Sequence, residues 1–268
     1  MYIIQKSTHW LQQHHTSSSQ RVSFSFYNLQ EGIVSGIEEA YQSAAETASQ
    51  LHYECHVQEG TWVAPHSNLL TMTGPWSALL STESFAKWII SWMSSLSTQL
   101  WQWDLKLAPE GIQILYTPRE GLAYGTWEKK AALLGGARHR RLFFTDGLRL
   151  NHLHYQWLGG ITAAINELME RLPPTVKIET VVSTLEEVQE AIEAGSHLII
   201  LRNMSEAQVK MATRTGQRRV LFELEGIFPP SAAPMLAASG VQFVSSDALL
   251  RHDTIWPVEI RISSHSAN

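Results

Sequence analysis

The sequence predicts an α/β protein: a first part of mixed strands and helices, then an α/β barrel that need not close. Three observations carry this reading. After residue 108, apolar runs of strand length alternate with helical segments six or seven times. Before that, a helix-length stretch places apolar residues every three or four positions, and the turn-forming "APEG" at 108–111 separates it from the alternating part. With 268 residues, 44% hydrophobic and 17% charged, the chain can bury a core in both parts.

In the first part, "RVSFSFYNL" alternates Val22, Phe24 and Phe26 on one face, as a half-buried strand does, and "IVSGIEEAYQSAAETASQL" comes next with helical spacing. Short strand-like runs, "HYECHV" and "NLLTMT", are set off by "EG" and "PHSN". From Trp76 to Leu105 the residues Leu79, Leu80, Ile89, Trp92, Met93, Leu96 and Leu100 predict one long helix. Seven of the ten tryptophans precede Asp104, a clustering that fits core or interface packing better than a ligand cage.

The second part reads as strand then helix throughout: "IQILYT" and "WEKKAALL"; "RLFFTDGLRL" and "ITAAINELMERL"; "VKIETVV" and "LEEVQEAIEAG"; "HLIIL" and "SEAQVKMATRTG"; "RRVLFEL" and "SAAPMLAASG"; "VQFVSS" and "DALL". A last strand, "VEIRI", closes the series or returns to the first part. Such a parallel sheet with right-handed crossovers curls toward a barrel, and working residues then sit after the strand carboxyl ends. Those positions are Thr117 and Arg119; Asn151, His152 and His154; Glu179; Arg202 and Asn203; Glu223 and Glu225; and Ser245, Ser246 and Asp247. The expected domains are residues 1–108 and 109–268.

Charge narrows the function classes. The net charge is −5, and residues 1–104 hold 3 Lys/Arg against 8 Asp/Glu while the remainder is balanced, so general nucleic-acid binding is not expected. Arg119 to Arg149 is the local exception, with seven basic residues against three acidic ones, enough for one small anion. The single cysteine, Cys55, excludes an internal disulfide, and no stretch approaches the ~20 apolar residues of a membrane span. A cytoplasmic protein without a membrane partner is expected.

Within that basic stretch, Gly135 and Gly136 precede Arg138, Arg140 and Arg141. Two readings stand side by side: an anion cradle of bare backbone N–H groups and arginine forks, or a helix C-cap leading into a solvated turn. His152 and His154 would share a face on extended backbone and could hold a metal with Asp146 or His139. No third ligand is adjacent, so histidines that bond a ligand or close a loop are favoured, and no metal site is assigned. Nucleophile-elbow, Walker and dinucleotide fingerprints are missing from the sequence.

The stretches "TLEEVQEAIEAGSHLIILRNMS" at 184–205, "GGARHRRLFFTDG" at 135–147 and "GVQFVSSDALLRH" at 240–252 resemble the nicotinate-nucleotide pyrophosphorylase family, also called quinolinate phosphoribosyltransferase, with its paralogues encoded beside molybdate transporters. The resemblance spans residues 20–263. It implies an N-terminal α/β sandwich followed by an incomplete, TIM-like α/β barrel, and dimers that share active sites. It further implies that basic residues at the barrel mouth hold the carboxylates of quinolinate and the phosphates of phosphoribosyl pyrophosphate, with Mg2+ accompanying that donor. Carried over position by position, it assigns ligand contacts to Arg119, Lys129, Arg138, His139, Arg140, Arg141, Asn203 and Glu223, and acid–base or polar roles to Glu179 and His154.

Departures from the family pattern are equally specific. Where the family reads Asp-Thr-Arg-Lys-Thr, this chain has Tyr116, Thr117, Pro118, Arg119 and Glu120. Basic family positions fall at Gly125, Asn151 and Ser84, a glutamate at Val181, an aspartate at Arg202 and a phosphate-loop glycine at Asp247. Charge-assisted hydrogen bonds contribute about 1.5–3 kcal/mol each, so three lost contacts remove roughly 4–9 kcal/mol of binding. The sequence therefore predicts a small anionic or aromatic ligand at a remodelled mouth, a pentosyl transfer with altered substrate, and little ordinary quinolinate turnover. The alternative is an inactive paralogue that serves as a binding or assembly partner for another protein.

Overall fold

The computed structural model describes residues 21–117, 125–141, 145–216, 219–246 and 255–264. They fall into two compact units. The first comprises 21–101, 125–135 and 255–264; the second comprises 102–117, 136–141, 145–216 and 219–246. Residues 125–135 and the C-terminal strand cluster with the first unit, the latter as one of the two courses open to "VEIRI".

In the first unit, β1 (Arg21–Asn28) is central in an antiparallel four-stranded sheet between β13 (Val258–Ser264) and β5 (Asn68–Pro75), with β3 (His52–Cys55) outside β5. The last strand therefore returns to the first part: Phe24 pairs with Ile262 and Phe26 with Ile260. A two-stranded ribbon joins β2 (Gly32–Ile33) to β4 (Trp62–Val63). Helix α1 spans Ile37–Thr47 and buries Ile37, Ala40 and Ala44.

The long helix α2, Trp76–Leu107, buries Leu79, Ile89, Ile90, Met93, Leu96 and Leu100 completely. Its run of small polar residues has a definite task. Thr98 Oγ1 and Ser94 Oγ accept the N–H groups of Ile33 and Ser35 at 2.9 and 3.0 Å, so the buried chain beside β2 keeps its hydrogen bonds without a further strand. Of the tryptophans, Trp103 and Trp256 are core residues, whereas Trp88 is half exposed in a stack with Phe85 and Trp92.

The second unit is a seven-stranded parallel sheet in the order β7-β6-β12-β11-β10-β9-β8. Its strands are β6 (Gln113–Tyr116), β7 (Arg138–His139), β8 (Gly147–Leu150), β9 (Lys177–Val182), β10 (Leu198–Arg202), β11 (Leu221–Gly226) and β12 (Phe243–Ser246). β7 and β8 are sequence neighbours at opposite ends of that order and do not pair among the described residues, so the barrel is incomplete. Of the expected strand "RLFFTDGLRL", residues 141–150, the described strand is β8 at its end; β7 lies before it, in the Gly-Gly-Ala-Arg-His stretch, and residues 142–144 fall outside the described residues.

Helices α5 (Ile161–Arg171), α6 (Leu185–Glu193), α7 (Glu206–Thr215) and α8 (Ala233–Ser239) each bury one apolar stripe, such as Val188, Ala191 and Ile192. Thr184 and Ser205 cap α6 and α7 through their side chains, as expected of hydroxyl residues before helical runs. Among the described residues no helix is long and apolar enough to cross a membrane.

The glycine pair is decided by packing. Helix α3 (Gly125–Leu134) ends at Gly135, where an added Cβ would stand 2.6 Å from the Ser97 carbonyl oxygen and 2.8 Å from Leu100 Cβ on α2. Gly136 takes φ 88°, and a Cβ there would meet the Asp104 carboxylate at 2.8 Å. This is a helix terminus pressed against a neighbouring helix and an acid, which accounts for both glycines without an anion. Gly135→Ala should lower stability by about 1–3 kcal/mol through overpacking, read as a lower denaturant midpoint with an unchanged slope.

Candidate functional site

The inward face of the half-barrel carries its charged residues near the carboxyl ends of the strands. Alternation along β11 puts Glu223 and Glu225 on this face, with Phe222 and Leu224 buried on the opposite side. The parallel register aligns Arg202 with Glu225 and Glu225 with Ser245; Arg149 stands opposite Glu179.

Arg140, immediately after β7, reaches into this interior. Its side chain is 2% exposed, and its guanidinium pairs with Glu179 at 3.3 Å and with Glu223 more closely; those carboxylates are 6% and 0% exposed. Thr117 Oγ1 accepts from Arg140 Nε at 3.1 Å, and Ser245 hydrogen-bonds Glu223 Oε1. Burial opposes the charge on Arg140, but Glu223, Glu179 and Glu225 outweigh it and raise its pKa. One oxygen of Glu223, Oε2, is buried without a hydrogen-bond partner among the described residues.

A second cluster lies beside the first. Glu225 is held between Arg149, which approaches Oε2, and Arg202, whose Nη2 donates to Oε1 at 2.7 Å. Burial alone would raise the Glu225 pKa; the Arg202 hydrogen bond and the positive charges of Arg149, Arg202 and Arg140 prevail and hold it below the ordinary value. Arg141 Nη1 donates to the Gly147 carbonyl at 3.1 Å, tying the chain after β7 to the start of β8 across the open seam.

The expected site residues thus separate by environment. Glu179, Glu223 and Arg140 come together, but inside the protein: Arg140 is an internal counter-charge to carboxylates and not an open anion fork. Arg138 is exposed on β7, and His139 comes after it, aligned with Tyr116 of β6. Asn203 follows β10 with a left-handed φ of 55°. Lys129 lies half-buried on α3 in the first unit, while Arg119 and Asp247 fall outside the described residues.

His152 and His154 are corrected in their backbone. They open helix α4 (His152–Leu158), where residues two apart do not share a face. His154 Nδ1 accepts the Asn151 N–H at 3.1 Å in a capping box, so its ring closes a helix terminus. Among the described residues no group of three or more His, Cys, Asp or Glu is placed to hold a metal.

Sequence reasoning missed Arg149 and Tyr155. Strand period in "GLRL" would have put Arg149 inward with Gly147; nothing in the local sequence marks Tyr155, whose hydroxyl lies 2.9 Å from the Val181 carbonyl and 3.0 Å from that of Leu150. Burial raises the Tyr155 pKa, so it stays a neutral donor at the ends of β8 and β9.

An antiparallel first unit joined to an incomplete parallel barrel, with charged side chains turned into the barrel, defines a two-unit half-barrel protein of the phosphoribosyltransferase type. The chain belongs to the quinolinate phosphoribosyl transferase family: the family's C-terminal domain matches residues 98–259 and its N-terminal domain residues 8–94. A probable nicotinate-nucleotide pyrophosphorylase [carboxylating] of Synechocystis is 29% identical over 220 residues, covering 81% of this chain and 75% of that protein. The crystal structure of NadC from Streptococcus pyogenes superposes with a TM-score of 0.87 at 18% identity, covering 98% of this chain and 95% of that one. Nicotinate-nucleotide pyrophosphorylase from Ehrlichia chaffeensis gives 0.85 at 20% identity, over 98% of both chains.

These ion pairs set two expected outcomes. Arg140→Met leaves two buried carboxylates without their counter-charge and should cost about 3–5 kcal/mol at neutral pH, measured by chemical denaturation. Because the folded pKa of Glu225 is depressed, its contribution is present above the unfolded value of about 4.5 and is lost as pH falls through the folded value. Glu225→Gln should therefore be less stable than the parent at pH 7, with the difference shrinking on acidification below that pH.

Proposed function

We propose that this chain is a divergent phosphoribosyltransferase-like protein, a pentosyltransferase that takes a small anionic or aromatic ligand at the barrel mouth and turns over quinolinate poorly. The observation that carries this reading is charge matching: Glu225 occupies the space between Arg149 and Arg202, and Arg140 is committed to Glu179 and Glu223. A ligand with two carboxylates needs two unengaged cationic forks, whereas here Arg140, Arg149 and Arg202 already face carboxylates of the chain itself. A ligand with less negative charge suits such a mouth better. The resemblance also assigns Arg119, Lys129, Arg138 and Arg141 to ligand contact.

Pentosyl transfer passes through an oxocarbenium-like state, so it relies on positioning and charge stabilisation more than on a protein nucleophile. Glu179 would act there as a placed carboxylate, with Arg140 fixing its position. Glu179, Glu223 and Glu225 are each paired with an arginine, and the reading takes its Mg2+ from the donor. The ion would enter with the phosphates of phosphoribosyl pyrophosphate. The reading includes a cytoplasmic homodimer.

A second reading, an inactive barrel serving in binding or assembly, is favoured by the burial of Arg140 at the mouth. Calorimetry with phosphoribosyl pyrophosphate and Mg2+, then an assay of quinolinate conversion, separates the two. The transferase reading expects micromolar donor binding and a quinolinate kcat/KM about three powers of ten below that of an ordinary family enzyme, equivalent to roughly 4 kcal/mol. No donor binding at millimolar concentration rejects it and leaves the second reading. Quinolinate turnover at the ordinary rate rejects the altered-substrate reading.

A further inference from the structure

We propose that helix α4 is a gate on the β8–β9 side of the barrel mouth: a segment that melts off the strand ends and reforms on them as one unit, with the Tyr155 hydroxyl as its latch. Helix α4 spans His152–Leu158 and buries none of its seven residues. Helices shorter than about 12–15 residues do not hold themselves together in water, so contacts outside α4 must do so. Its most apolar side chains supply little, with Leu153 62% exposed and Trp157 87%. Opening therefore forfeits little apolar burial.

Among the described residues, Tyr155 is the one side chain of α4 that hydrogen-bonds beyond the helix and its cap. Its hydroxyl lies 3.0 Å from the carbonyl of Leu150, the last residue of β8, and 2.9 Å from that of Val181 in β9. A phenol has one proton, so it donates to one of these carbonyls at a time. The Tyr155 carbonyl in turn accepts the N–H groups of Gly159 and Gly160 at 2.9 and 2.8 Å, while its own N–H reaches the Asn151 carbonyl at 3.2 Å. Latch, cap and helix exit thus meet at one residue, and releasing it loosens both ends together.

The flanks are fixed, which confines the motion. Leu150 is buried on β8, and α5 buries Ile161, Ala164 and Ile165. Glu190 of α6 accepts both the Thr162 N–H and the Thr162 hydroxyl at 2.9 Å, so α5 keeps a partner for its first turn when α4 lets go. Between them lie Gly159, with φ 85°, and Gly160, with φ 121° and ψ 174°. An added Cβ would meet nothing within 4 Å at Gly159, and at Gly160 only Glu190 Oε1 at 3.8 Å. Unlike Gly135, these two glycines answer to dihedral angle and not to space, as a hinge requires. What the gate does for a ligand rests on the proposed function; the opening itself does not.

Amide hydrogen exchange on the full chain tests the gate without a ligand. The amides of Tyr155, Gly159 and Gly160 should exchange through one common opening, at least about a hundred-fold faster than those of β9. Tyr155→Phe should speed all three by about three- to ten-fold, the effect of one lost hydrogen bond, and leave β9 and α5 unchanged. Asn151→Ala, at the opposite end of the helix from Gly160, should do the same. Three unrelated rates, exchange no faster than in β9, or a Tyr155→Phe effect that spreads into β9 would each overturn the proposal. Where calorimetry shows phosphoribosyl pyrophosphate binding with Mg2+, the bound donor should slow the three amides at least about three-fold by favouring the closed state, and an unchanged rate overturns the gate. If the donor does not bind, the proposed function fails while exchange in the free protein still decides the gate.

Discussion

Arg140, enclosed between Glu179 and Glu223, is the contact on which the second unit depends. It starts from the short edge strand β7 and crosses the interior to β9 and β11, with Thr117 and Ser245 completing its hydrogen bonds. A half-barrel has an open seam where closed barrels have another ladder. Here side chains span part of what backbone pairing does not: Arg140 across the interior and Arg141 to the Gly147 carbonyl. Buried ion pairs contribute little net stability over an apolar core, yet breaking one is costly because a charge is left desolvated. That asymmetry makes the cluster a constraint on geometry, holding two inward carboxylates in fixed positions.

The same cluster lies among the residues that the proposed function invokes. Membership of the quinolinate phosphoribosyl transferase family rests on matches that cover both parts of the chain. The chain's own carboxylates offset part of its inward basic charge, with Glu225 paired to both Arg149 and Arg202. Family membership alone does not set ligand preference, because preference depends on a few uncompensated groups and the fold on many distributed contacts.

How far the sequence could be read varies with the range of the interaction concerned. Period-two and period-3.6 patterns located β1, β5, β9 to β12 and the helices α2, α6 and α7, since amphipathic spacing is a local property. The same local rules missed the short strand β7 at Arg138–His139, and failed at His152 and His154, where a capping box replaced an expected extended pair. Arg140 was visible as a basic residue in a promising loop. Its pairing with carboxylates 39 and 83 positions away was not.

By itself the sequence determined the α/β class, the alternating second part, the resemblance to its family and the residues that could carry charge chemistry, because composition, periodicity and short motifs are written along the chain. Only the tertiary structure decided that β13 joins the first sheet, that Gly135 is demanded by the Ser97 carbonyl, and that Arg140 is matched by internal glutamates. Each of these depends on which distant residues share a small volume. Burial there turns a residue's ordinary charge into either a paired constraint or an open site.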